Sequence, residues 1–441
     1  MYYDDSRKLQ RELSQIEDNA VSELEFWDMY VTDEYCWKFQ ERLAKNTSLT
    51  SLKCNLSREV SETAIANALK VNSSLTSLLI KRSIKKEEGE YALADALRIN
   101  TTLQTLDLTY GIPDEAIAIA EALKVNTSLT RLSLYDYHFG GDGVSELAEA
   151  LKVNSSLTHF SLCATDIIGE EVSEIAEALK INSSLTTFAI AHSRIKDEGA
   201  IAIAEMLKVN SSLTTLSLHN NEMNIDGISA IAEALKVNVS LLLIAIGNNS
   251  IGDFEASIFA NALRLNSSLT SVYLNYNSIG DEGASAIADA LKENSSLSLI
   301  SLRGNTFRQG GMTAIAEALK VNSTLTSINL GYHEIGEGGV SAIAEALKIN
   351  VTLKSINLSG IEIKTKGVES ISEAVRFHPS LLDVTVDENL RTSFDRYTNL
   401  AVNSHDSLKN ILQILIGEDA AHVLAEKFCM HFSGAIEYND D

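Results

Sequence analysis

Three histidines, His159, His192 and His219, fall in successive copies of a repeated segment. Imidazoles on neighbouring strands about 5 Å apart would be suitable donors for Zn²⁺. Counted from the first leucine of each copy, however, they occupy the third, eighth and seventh slots, with no carboxylate beside them, so no metal site is expected. Cys163 and His192 could be drawn as a nucleophile and its base. Nothing in the sequence supplies an oxyanion hole or a third orienting group, and a free thiol is the expectation. Glutamates recur once per helical segment (Glu121, Glu149, Glu177, Glu205, Glu233, Glu317, Glu345), the pattern of a solvated face rather than of paired catalytic carboxylates. There is no G-x-x-x-x-G-K-[ST] phosphate loop, and no G-x-G-x-x-G, H-E-x-x-H or G-x-S-x-G in a supporting context. The sequence therefore predicts no catalytic residues and no cofactor.

Large side chains stand out against a background of Ser, Thr, Ala, Asn and Gly at the slots that alternate away from the apolar ones, for example Thr215, Ser217, Ala245, Gly247, Ser301 and Ser355. They are Tyr110, Arg131, Tyr135, His159, His192, His219, Tyr273, Tyr276, Arg303 and Tyr332. Tyr and Arg dominate binding hot spots because they combine a large area with a hydrogen-bonding tip. The expectation is a protein-binding strip, centred on Tyr135 to Tyr332. The alternative is that isolated rings on a sheet only support cross-strand packing.

The elements that position these residues follow from a repeat. The stretch L-K-V-N-S-S-L-T recurs with its Asn at 46, 72, 100, 126, 154, 182, 210, 238, 266, 294, 322 and 350, and His378 takes the next slot. The steps are 26, 28 and 26 residues, then 28 nine times running. Within one copy, Leu213 to Leu218 alternates apolar and polar, as a short strand does with Leu216 and Leu218 facing inward. Ile231, Ala234 and Leu235 then form a helical stripe, with Glu233 and Lys236 paired on the solvated side. Gly227, with Gly199, Gly283, Gly311, Gly339 and Gly367, marks the entry to each helix, and the repeat Asn is expected to end it in a left-handed conformation. The missing residues of one 26-residue step fall at Tyr110–Pro113, in the strand-to-helix loop. A strand and helix repeated in tandem give a parallel sheet with the helices along one side, wound right-handed. Helices need more room than strands, so the stack should bend into a horseshoe with the sheet on its concave face.

Leu213, Leu216, Leu218 and Asn221, followed by the helix Ala230–Lys236, resemble the leucine-rich repeat family, whose motif is L-x-x-L-x-L-x-x-N-x-L. The 28-residue period looks like its ribonuclease-inhibitor-like class, which includes the repeats of NOD-like receptors and of the Ran GTPase-activating protein. The resemblance spans residues 46–388. It departs from the motif where the ladder Asn of Asn221, Asn249, Asn277 and Asn305 is replaced by Thr165, Ser193, His333 or Ile361. It implies an α/β solenoid of about thirteen units and an interaction scaffold, with activation of a small GTPase as the alternative. The near-identical copies, the Lys/Asn/Ile/Ser usage and only two prolines are also similar to repeat proteins of protists and of intracellular bacteria such as Legionella. There, family members act as effectors in a host cell.

The 441 residues carry 36 basic and 60 acidic side chains, a formal charge of −24. That is the wrong sign for holding phosphates or an anionic membrane, so neither nucleic acid nor membrane is expected as a partner. A protein with a basic surface is, and the chain itself is expected to be monomeric. No apolar run reaches the ~18–20 residues of a spanning helix. The charged N-terminus has no apolar signal-peptide segment, and Cys36, Cys54, Cys163 and Cys429 form no Cys-x-x-Cys pair. A reducing, cytoplasmic setting fits. Residues 1–45 lack the repeat and hold both tryptophans; they are expected to be an N-terminal helical cap. Residues 389–441, with stripes at Leu408, Ile411, Leu412 and Leu415 and again at Ala421, Leu424 and Phe428, are expected to be a C-terminal helical cap. The N-x-[ST] sequence at every repeat Asn is read as a helix stop followed by a strand start, not as a row of glycan sites.

Overall fold

The structure, a computed structural model, describes residues 11, 13–29, 33–56, 59–82 and 91–387. The chain divides into two units, residues 1–193 and 194–441. The first contains β1 (Glu23–Met29), β2 (Ser51–Leu56), β3 (Ser77–Arg82), β4 (Thr105–Thr109), β5 (Arg131–Tyr135), β6 (His159–Cys163) and β7 (Thr187–Ala191). The second contains β8 (Thr215–Ser217), β9 (Leu243–Ala245), β10 (Ser271–Tyr273), β11 (Leu299–Ser301), β12 (Ser327–Asn329), β13 (Ser355–Asn357) and β14 (Asp383–Thr385). In each unit the strands pair in parallel with their neighbours in chain order, and a helix connects each strand to the next. This is the α/β leucine-rich-repeat solenoid expected from the sequence.

The register keeps each apolar slot over its equivalent: Leu216 opposite Ile244, Val272 opposite Ile300, Ile328 opposite Ile356. Leu216, Leu218, Ile231, Ala234 and Leu235 are all fully buried between sheet and helices. Each such aliphatic side chain contributes about 1.5–3 kcal/mol relative to exposure. Glu233 pairs with Lys236 on the outer helix face, and Glu149–Lys152 and Glu205–Lys208 repeat the contact.

The repeat Asn acts differently from the expectation. Asn266 follows its helix in extended, not left-handed, backbone (φ −77°, ψ 134°), and it works through its side chain. Nδ2 donates to Leu235 O (2.7 Å) and Asn238 O (3.2 Å) of the preceding repeat, while Oδ1 accepts from Ser268 N (3.0 Å) and Leu269 N (2.7 Å). An amide is needed here because it supplies donors and acceptor at once. It leaves few of the backbone groups at this corner unmet, as burial requires. The sequon Ser joins the brace, since Ser268 Oγ donates to Asn238 O. His378 takes over part of the role: its Nδ1 accepts from Ser380 N and Leu381 N.

Two further expectations change. Gly227 and Gly283 lie within the first helical turn rather than in the loop before it. They are required by close approach: a Cβ at Gly227 would stand 2.7 Å from Asp197 Oδ1 and 2.9 Å from Ala200 Cβ. That Asp197 oxygen accepts from Asn224 N (2.7 Å) and Gly227 N (3.0 Å), so one repeat caps the helix of the next. In the N-terminal segment, expected to be helical, Glu23–Met29 is a strand in register with β2, Leu24 opposite Leu52, followed by the helix Asp33–Lys45. This strand extends the sheet of the first unit by one, to seven strands among the described residues. The shortened loop at Tyr110–Ile112 lies between β4 and the helix Pro113–Leu123. The proposed C-terminal cap, 389–441, lies outside the described residues. Among those described, no helix is long and apolar enough to cross a membrane.

Candidate functional site

From β4 to β13 each strand leads into a turn whose eighth slot adopts left-handed backbone, at Asp136 (φ 51°) and Ala164 (φ 54°) as at the larger residues. In the first unit Tyr110 (φ 58°) and His192 (φ 52°) stand there, and in the second Asn220, Asn248, Tyr276 (φ 53°) and Tyr332 (φ 63°), with Gly304 (φ +66°) and Gly360 (φ +68°) between and after the tyrosines. Gly and Asn adopt this geometry readily, whereas a bulkier residue is held there at a cost of about 1–2 kcal/mol. The tyrosines are accommodated by their neighbours. A Cβ at Gly304 would lie 2.5 Å from Tyr276 Cδ1, and one at Gly360 2.8 Å from Tyr332 Cδ1. Each ring thus lies over the glycine of the next repeat.

Between the two rings stands Arg303. Its guanidinium carbon is 4.3 Å from the centre of the Tyr332 ring and 5.5 Å from that of Tyr276, within cation–π range of both. Tyr276 is 39% exposed and Tyr332 49%. Arg303 makes no ion pair among the described residues, and its Nε is buried without a hydrogen-bond partner. Nearby on the same face of the sheet, Asn275 Oδ1 and Ser301 Oγ are likewise buried and unpartnered. Beyond Tyr332 a cleft of about 480 Å³ is lined by Glu334, Glu337 and Glu362 against Lys364.

The other residues of the expected strip separate by burial. Tyr273, 6% exposed, belongs to an apolar cluster with Leu243, Ala245 and Leu299. His219 lies over Gly247, whose Cβ would meet its Nδ1 at 2.9 Å. In the first unit Tyr135, at the end of β5, is also 6% exposed. Arg131 begins β5 and His159 begins β6, with His159 Nδ1 2.8 Å from Thr158 Oγ1. Burial lowers the pKa of His192; burial, then Asp136, raises that of Tyr110. On β4, Asp107 is pushed up to about 6, chiefly by burial and against a hydrogen bond from Ser133. Cys163 is buried and disulfide-bonded, not the free thiol expected. Among the described residues no group of three or more His, Cys, Asp or Glu is placed to hold a metal.

A buried charge cluster in the first unit escapes sequence reading. Arg82 donates from Nε and Nη2 to Glu62 (2.8 and 2.9 Å), from Nη2 and Nη1 to Glu115 (2.8 and 3.0 Å), and from Nη1 to Thr109 O and Tyr137 Oη (both 3.1 Å). All four side chains are buried. Burial works against the Arg82 charge, but Tyr137, Glu115 and Glu62 outweigh it and hold its pKa well above the ordinary value. The available signal is Glu115, which stands where other copies place Gly199 or Gly227.

In the second unit the motif asparagines form a ladder. Asn249 Oδ1 accepts from Asn221 N (2.9 Å) and Asn277 Oδ1 from Asn249 N (2.8 Å). His333 continues it: Nε2 accepts from Asn305 N (3.3 Å) while Nδ1 lies 2.8 Å from Leu330 O. This is a neutral imidazole used as an amide substitute, stacked on Phe307 at 3.9 Å.

Four segments, residues 182–204, 209–232, 265–288 and 321–344, match the leucine-rich repeat family model. No curated protein matches the chain in sequence. Among solved structures it is similar to leiomodin-1 actin-binding site 2, with 24% identity, covering 32% of this chain and 84% of that one at a TM-score of 0.29. It is also similar to a chain of the Rad7–Elc1 complex of yeast, with 13% identity, covering 92% and 95% at a TM-score of 0.48. The chain contains leucine-rich repeats, and their strands and helices build a solenoid.

Proposed function

We propose that this chain is a non-enzymatic protein-interaction scaffold of the ribonuclease-inhibitor-like class, engaging a folded partner around Tyr276, Arg303 and Tyr332. The carrying observation is that two bulky rings occupy left-handed backbone, half out in water, where Asn220 and Asn248 display the relaxed solution. The fold sets this conformation in every copy from Tyr110 to Gly360; what distinguishes these two positions is a half-exposed ring on either side of Arg303. A rigid repeat framework also loses little ordering entropy on association. The charge of −24 and the cleft with three glutamates to one lysine support a partner with a basic surface, whose association slows as salt rises. The reading extends to a cytosolic monomer, acting in a host cell where the chain is an exported effector; its support there is the sequence resemblance.

The test is a phage-displayed library of a small folded domain with randomised loops, panned on the full chain. Binders are expected to lose at least tenfold in affinity on Tyr276→Ala/Tyr332→Ala. A set of binders that all tolerate the double variant within threefold removes the strip from consideration.

A further inference from the structure

We propose that Arg303 is the specificity anchor of this surface and receives a carboxylate side chain of the partner protein, an Asp or Glu set within its otherwise basic face. The inference rests on the interaction reading above and specifies its chemistry. In a chain with 60 acidic side chains, an arginine held between two tyrosine rings and engaged with no carboxylate among the described residues is conspicuous. The guanidinium carbon lies 4.3 Å from the centre of the Tyr332 ring and 5.5 Å from that of Tyr276, which holds the head group between them. A planar fork presented this way matches a carboxylate bidentately, which ammonium cannot do. Arg303 Nε, Asn275 Oδ1 and Ser301 Oγ, at slots five and seven of two neighbouring copies, are all buried and make no hydrogen bond among the described residues. Such groups are costly to leave unmet. An arriving carboxylate pairs with the terminal Nη groups of the guanidinium.

The arrangement also separates two roles. The overall negative field attracts basic surroundings over a Debye length of roughly 8 Å, and Arg303 then selects one acid within them. A uniformly basic surface therefore binds poorly, with Arg303 facing like charge, and a uniformly acidic one is repelled before it arrives.

The same displayed library tests this separately from the interaction reading. Among binders that depend on Tyr276 and Tyr332, Asp or Glu is expected at one fixed loop position. Arg303→Glu should weaken them about 30-fold or more, and a charge-reversed binder carrying Lys at that position should regain most of the loss. Arg303→Lys, which keeps the charge but not the fork, should lose about tenfold. Binders that need the tyrosines but show no acid preference and no response to Arg303→Glu overturn the anchor and leave the scaffold reading standing. Binders indifferent to the tyrosines overturn both. Displacement of acid-bearing binders by a synthetic peptide of residues 432–441 would assign the site to this chain's own acidic segment and overturn the partner assignment.

Discussion

Replacing Arg82 by Met should cost the first unit about 4–5 kcal/mol, and the cost should shrink in acid. The guanidinium makes six hydrogen bonds of 2.8–3.1 Å, four of them to the two carboxylates. Glu62 and Glu115 are themselves buried, and Arg82→Met removes the guanidinium that makes two hydrogen bonds to each. Breaking a buried ion pair costs roughly 3–5 kcal/mol because the surviving charge loses its compensation, and here one guanidinium serves two buried carboxylates. Folded domains hold only about 5–15 kcal/mol in total, so the loss is large. Burial disfavours the charged form of a carboxylate that has lost its counter-charge, so protonation near the unfolded value of about 4.3 relieves the penalty. The penalty is then absent below the unfolded value and grows as pH rises through it, by up to about 1.4 kcal/mol per pH unit for each carboxylate. Both tryptophans lie in residues 1–45, so urea unfolding followed by their fluorescence reports this unit. Repeating it at pH 7.5 and pH 5 gives the comparison. A deficit under 1 kcal/mol, or one unchanged between the two pH values, refutes the argument.

Three other perturbations follow from the same geometry. Asn266→Ala removes donors from two buried carbonyls and an acceptor from two N–H groups; a loss of about 2–4 kcal/mol is expected, with faster amide exchange at Ser268 and Leu269. Burial lowers the pKa of His333 below 6.5, against hydrogen bonds to Leu330 and Gly331, and burial lowers that of His378. For a depressed folded pKa the stability is intact above the unfolded value and is lost as pH falls below about 6.5. The second unit should therefore weaken between pH 6.5 and 5, and His333→Asn/His378→Asn should flatten that slope in a thermal-melt series. Asp253 Oδ1 accepts from Gly280 N and Gly283 N, both at 2.7 Å. Asp253→Ala should cost about 1–2 kcal/mol, read as faster exchange at those two amides.

The exposed cluster of Tyr276, Arg303 and Tyr332 was only partly legible. Side-chain type singled out Tyr276, Arg303 and Tyr332, yet the same criterion selected Tyr135 and Tyr273, which are buried. Slot counting gives the face of a strand but not how deeply neighbouring strands enclose it. The left-handed turn was equally hidden, although the alternation Tyr276, Gly304, Tyr332, Gly360 at one slot carries its trace.

What the linear order determined is the periodic part. Leu216, Leu218 and Ile231 recur at fixed spacing, and periodicity fixes strand, helix and parallel stacking because each copy can bury its apolar face only against the next copy. What required three dimensions is every relation between copies. Asn266 reaches back to Leu235 and Asn238, Asp197 caps the helix after Asn224, and Arg82 gathers Glu62, Glu115 and Tyr137 from three other segments. Hydrogen bonds and ion pairs act over about 3 Å between groups some twenty to fifty residues apart in sequence. Only the register of the packed repeats sets which of them meet.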